Sequence, residues 1–159
     1  MILRKGLGSL RSPHRALIAS ILKELKKFFG NRLISLIVLG NSNDINTDLL
    51  IIVKDLPANR AKRLLIINDI EKKISLLIDK FFEKYEDYLI SITPIIKDLN
   101  EVKDNLELYI DVAGEVTIVY DKDSTFEKLV KELRTSTKEY FYEHVHWSIE
   151  AEEVIAASY

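Results

Sequence analysis

The residues of this chain best placed to do chemistry lie in the segment LIVLGNSNDINTDLLIIV, Leu36 to Val53, where a polar tip separates two apolar runs. Gly40 has no Cβ, so a phosphate can approach its backbone closely, and Asn41 and Ser42 offer hydrogen-bonding side chains beside it. Asp48, at the mouth of the second apolar run, is a hard oxygen donor of the kind magnesium takes. The tip therefore has the makings of a nucleotide-phosphate site with a metal ligand at its edge.

Other groups invite weaker readings. His144 and His146, beside Glu143, would share one face of a strand and could bind zinc, but no third ligand at a matching spacing supports them. Tyr140, Phe141, Tyr142 and Trp147 form an aromatic cluster that suits a core or subunit contact better than a base-stacking surface. An apolar cluster of that size near the chain end predicts a two-fold homodimer. Arg4, Lys5, Arg11 and Arg15 all precede the first acid, Glu24, so residues 1–12 read as a basic arm. Such an arm is either a solvated terminus or a contact for nucleic acid or anionic lipid. Ser20, Ser75 and Ser148 lack the glycine context of a nucleophile elbow, so acyl transfer is unsupported. Glu101, Asp104 and Glu107 read as a solvated helix face.

The elements that must hold the polar tip follow from apolar spacing. Ser12 and Pro13 read as N-cap and first helical residue, Leu17, Ile21, Leu22, Leu25 and Phe28 recur at helical spacing, and Gly30 closes the helix. Leu33–Leu39 and Leu49–Val53 have the continuous apolar character of strands covered on both faces. A long helix is expected from Asn59 to about Lys84, and a third strand over Tyr88–Ile96, where Pro94 marks an edge or strand end because it cannot donate to a ladder. Helical turns from Asn100 to Ala113, a strand at Val116–Tyr120 and a helix capped by Ser124 and running to about Tyr140 complete the domain, with HVHWSI as a short final strand. The order αββαβαβα predicts an α+β fold, an α/β sandwich in which helices pack on a mixed sheet of four to five strands.

Composition narrows the setting. At 159 residues the chain suits one domain, residues 13–159, behind the basic arm. The absence of Cys removes disulfides, thiolate zinc sites and cysteine nucleophiles, and a reducing, cytoplasmic setting is expected. A formal charge of -2 supplies no global field to draw nucleic acid. No apolar run approaches the ~18 residues of a membrane span, and Met1 to Leu10 lacks the apolar core of a signal peptide.

A glycine-serine turn after one strand, Asp-x-Asp opening the next and a carboxylate on a third are the signature of the polymerase-beta-like nucleotidyltransferase superfamily. The segment VLGNSNDINTDLLIIVKDLP resembles a shortened copy of it. SITPI at 91–95, Leu108 with Tyr109, and IVYDKD at 118–123 resemble later pieces of the minimal domains of that superfamily, so the likeness runs from about Leu33 to Arg134. The resemblance implies Gly40 as the turn glycine and Asn41 or Ser42 as the phosphate contact. It implies Asn46, Asp48 and Ser91 as the three positions that carry metal-binding carboxylates in the superfamily. Here the loop is short and only Asp48 is an acid, whereas transfer to a nucleotide's alpha phosphate uses two magnesium ions that need several anionic ligands. The expectation is a catalytically degenerate protein that binds or scaffolds, with weak nucleotide affinity at the tip and magnesium only if activity remains. Two alternatives stand beside it. One is an active minimal nucleotidyltransferase that recruits Asp44 with Asp48 and Glu86 or Asp87; the other is an RNA-associated protein that uses the basic arm and the Tyr140–Trp147 aromatics.

Overall fold

The computed structural model describes residues 2–41 and 45–136, and of residues 134–136 the backbone only. The elements run β1 (Ile2–Lys5), α1 (His14–Phe29), β2 (Leu33–Leu39), β3 (Asn46–Val53), α2 (Arg60–Lys84), β4 (Ser91–Asp98), α3 (Leu99–Ala113), β5 (Glu115–Asp121) and α4 (Thr125–Ser136). The strands form one mixed sheet in the order β1-β5-β2-β3-β4. β2 lies antiparallel to both β3 and β5, while β1 runs parallel to β5 and β4 parallel to β3. The molecule is an α+β sandwich with helices on both faces of the sheet.

Two apolar layers account for this arrangement. On one face Leu17, Ile18, Ile21 and Leu25 of α1 and Ile70 and Ile74 of α2 pack on Leu36, Val38, Leu49 and Ile51. On the other, Val102, Leu106 and Ile110 of α3 and Phe126 and Val130 of α4 pack on Ile37, Leu50, Ile52 and Ile118. Leu49 to Val53 are all fully buried, which is why β2 and β3 read as continuous apolar runs. Burial of each such side chain is worth about 1.5–3 kcal/mol.

Local chemistry sets the element ends. Asn59 caps α2 by accepting from the Lys62 backbone N–H at 3.0 Å. Asp98 and Glu101 form a capping box at the start of α3. Pro94 sits in β4, an edge strand, where its missing N–H leaves no gap in an inner ladder.

Besides β3, which begins at Asn46 and not at the expected Leu49, four features differ from the sequence reading. The first is β1: residues of the basic arm form a strand, with Arg4 paired to Glu115 at 3.5 Å and Lys5 to Glu127. Arg15 donates to the carbonyls of Leu10 and Gly8, so three of the four cations proposed for the arm are engaged within the domain. Second, α1 begins at His14, with Pro13 in the cap position and no side-chain cap from Ser12. Third, β4 starts at Ser91 rather than Tyr88, because the Tyr88 ring packs on Phe81 of α2, 5.7 Å between centroids, and its N–H closes a turn onto Tyr85. Fourth, Ser124 has φ 54°, outside the extended range of a cap, and Asp121 takes the capping role for α4. The expected extension of α4 to Tyr140 and the strand HVHWSI fall outside the described residues.

Thr117 is fully buried and its hydroxyl has no hydrogen-bond partner among the described residues. A buried, unpaired hydroxyl costs about 1–3 kcal/mol. Thr117→Val, nearly equal in shape, is therefore expected to raise the urea-unfolding midpoint, by about 1 kcal/mol in stability. A lower midpoint would show that the hydroxyl is in fact bonded.

Candidate functional site

The polar tip closes the hairpin between β2 and β3, and β4 brings a third strand to it. Gly40 has φ 82°, and its N–H donates to the Glu115 carbonyl at 2.7 Å. A Cβ added at Gly40 would meet nothing within 4 Å, so the left-handed backbone, not crowding, is what calls for glycine here. Asn41 is exposed beside it, whereas Ser42 and Asp44 lie outside the described residues.

The parallel pairing of β3 with β4 sets Asn46 opposite Ser91 and Asp48 opposite Thr93. Adjacent strands lie about 4.8 Å apart, and alternate residues share a face. By that alternation Asn46 and Asp48 point the same way as Leu50 and Ile52, and Ser91 and Thr93 the same way as Ile95, toward the α3–α4 side of the sheet. All four are exposed, so the strand ends carry one accessible polar quartet. The Ser91 N–H donates to the Ile45 carbonyl at 2.8 Å, which ties β4 to the tip. Ile45 and Leu89 flank that junction with 59% and 69% of their surfaces open, an apolar border that sequence reasoning missed.

From α3 the Tyr109 ring packs into the same layer. Burial, and then the charge of Glu101, push its hydroxyl above the usual tyrosine range, so it stays a neutral donor. Glu86 and Asp87, the acids weighed as additional ligands, line a surface hollow of about 560 Å³ with Pro13, Glu83, Lys84, Tyr85 and Tyr88. Among the described residues no three His, Cys, Asp or Glu side chains come together as a metal group. Asp48 is the single acid of the quartet. One carboxylate with an amide and two hydroxyls has too little negative charge for a pair of divalent ions. His144, His146, Glu143 and the Tyr140–Trp147 aromatics fall outside the described residues.

Beneath the quartet, on the opposite face of β3, Thr47 is buried with its hydroxyl 3.4 Å from His14 Nε2, and His14 itself is fully buried. His14 belongs to the stripe His14, Leu17, Ile18, Ile21 and Leu25, and that spacing is the sequence signal for its burial. Its Nδ1 has no hydrogen-bond partner among the described residues. Burial lowers its pKa below the ordinary 6.5. Between the folded and unfolded pKa values the unfolded chain binds more protons, so stability is lost as pH falls below about 6.5. Melting curves at pH 7.5 and 5.5 are expected to show this loss in the parent and a smaller one in His14→Leu. Equal losses would exclude His14 as the cause. Glu127, whose pKa is lowered chiefly by its hydrogen bond to Lys5, acts in the carboxylate range, below that window.

Comparison of the chain with known protein families, curated proteins and solved structures gives no match. Among the described residues no helix is long and apolar enough to cross a membrane.

Proposed function

We propose that this chain is a catalytically silent member of the polymerase-beta-like nucleotidyltransferase superfamily, retained as a binding or scaffolding module with at most weak nucleotide affinity at the tip. The observation that carries the reading is the β3–β4 register, which places Asn46 beside Ser91 and Asp48 beside Thr93 on one face. Asn46, Asp48 and Ser91 are the positions to which the resemblance assigns metal-binding carboxylates, and Asn46 and Ser91 are neutral. Each lost acid removes a full charge and a donor atom, so the scaffold survives where the two-metal chemistry does not.

The active-enzyme reading needs Asp44, Glu86 or Asp87 to complete a carboxylate set. Glu86 and Asp87 line the hollow beside Pro13, and no three-acid group is present among the described residues.

Incubation with labelled nucleoside triphosphates and magnesium or manganese is expected to give no nucleotidyl transfer to protein, tRNA or small-molecule acceptors. Robust transfer that disappears in Asp48→Ala would overturn the proposal. By calorimetry, nucleotide binding is expected to be weak and insensitive to magnesium, since no anionic cage links metal to phosphate. Self-association, expected from the Tyr140–Trp147 aromatics, belongs to the same proposal; sedimentation equilibrium at tens of micromolar tests it.

A further inference from the structure

The formal charge of -2 hides a separation of charge between the two helical layers. α1 and α2, on one face of the sheet, carry eleven Lys and Arg against five Asp and Glu. α3 and α4, on the other face, carry four against six. The separation is invisible along the chain, because it depends on which helices share a face. It also relocates the basic surface: Arg4 and Lys5 of the terminal arm are neutralised by Glu115 and Glu127.

On α2 the cations are aligned. At 100° per residue Lys62, Lys73, Lys80 and Lys84 fall within about 40° of one another, and the row is about 33 Å long. Of the four acids of α2, Asp69 lies beside that row and Glu83, three residues after Lys80, borders it; Glu71 and Asp79 project from other flanks. Aromatic rings are interleaved with the basic residues of this layer. Lys73 Nζ stands 5.9 Å from the Phe28 ring, Lys84 Nζ 5.5 Å from Tyr85 and Lys26 Nζ 4.6 Å from Tyr120. Phe28 is 37% exposed. Lysines over partly open rings pair a charge for phosphate with a face for a base.

We propose that the α1–α2 face binds the phosphodiester backbone of a single RNA strand. The row of lysines on α2 makes the phosphate contacts, and the partly exposed Phe28 ring offers a stacking partner. This surface lies on the opposite face of the sheet from the Asn46, Asp48, Ser91 and Thr93 quartet, so the inference stands apart from the nucleotidyltransferase reading. Electrostatic contacts of this kind carry little sequence preference and weaken as salt rises.

The test is fluorescence anisotropy of a labelled mixed-sequence 20-nucleotide RNA with the full chain between 50 and 200 mM KCl. Binding is expected at low salt, with log affinity falling linearly against log salt at about 0.7 per phosphate contact. The triple variant Lys73→Glu, Lys80→Glu, Lys84→Glu is expected to bind at least tenfold more weakly, with the slope reduced by about 2, the amount three lost contacts remove. The triple Lys→Gln variant at the same positions, folded by circular dichroism, is expected to show the same direction with a smaller loss and guards against misfolding of the glutamate form. Lys103→Glu with Lys128→Glu, on the α3–α4 face, is expected to bind as the parent does. The proposal is overturned if the parent does not bind at 50 mM salt, if variants on the two faces weaken binding equally, or if phosphatidylserine vesicles retain the protein while the RNA does not.

Discussion

Asp121→Ala is expected to cost about 3 kcal/mol of stability, the largest loss from any single polar residue described here. Asp121 Oδ1 accepts from the Ser35 hydroxyl at 2.7 Å and from the Phe126 N–H at 2.9 Å, while Oδ2 accepts from the Glu127 N–H at 3.0 Å. One carboxylate thus caps α4, satisfies a fully buried serine and fixes the backbone of Phe126, whose side chain is itself fully buried. Removing it strands a buried hydroxyl and two helix N–H groups together and takes a negative charge from the positive end of α4. Asp121→Asn keeps one acceptor oxygen and is expected to cost about half as much; Ser35→Ala, which leaves the cap intact, about 1 kcal/mol. Urea unfolding monitored by circular dichroism reads all three. A loss below about 0.5 kcal/mol in Asp121→Ala would refute this account of how α4 is held.

That residue also separates framework from site. Asp121 pairs with Ser35 at one end of β2, whereas Asp48 pairs with Leu39 at the other. Within IVYDKD, the piece that resembles the superfamily's late strand, the aspartate serves packing and capping at the end of the sheet remote from the tip.

What the sequence disclosed is what local physics determines. Leu33–Leu39 forms β2 residue for residue, because an unbroken aliphatic run bounded by Arg32 and Gly40 has few ways to be buried other than as a central strand. The long helix begins where Asn59 can cap it, and Pro94 lies on an edge because a proline there costs no inner hydrogen bond. The features that escaped are set by partners that apolar spacing does not register. Ile2–Lys5 is only four residues long, with two adjacent cations; it is a strand because β5 pairs with it and Glu115 and Glu127 neutralise it. Ser124 has the chemistry of a cap, yet φ 54° takes it away from α4 and gives the task to Asp121. Tyr88 has strand propensity, but contact with Phe81 holds it at the end of α2.

The site was legible in part for the same reason. Asn46 and Asp48 share a face because β3 begins at Asn46, three residues before the apolar run Leu49–Val53 that was expected as the strand. That Ser91 and Thr93 lie beside them depends on the register of a parallel pair joined through a 25-residue helix, which residue spacing alone cannot supply. The burial of His14 was not read from the sequence, although the helical stripe carries a signal for it; its partner Thr47, 33 residues further along the chain, has none.

If, as we propose, Asn46 and Ser91 stand where carboxylates once held metal beside Asp48, a melting curve of the double variant Asn46→Asp, Ser91→Asp with and without manganese will show it. Three acids on adjacent strands repel and raise one another's pKa, so without metal the variant is expected to melt below the parent. Manganese, bound by the folded state alone, is expected to stabilise the variant by about 2.7 kcal/mol at a concentration 100 times the dissociation constant and so to recover that loss. The parent, with one carboxylate, is expected to show no such shift. If the double variant melts as the parent does in both conditions, the three positions do not converge on a metal site and the proposed ancestry is wrong.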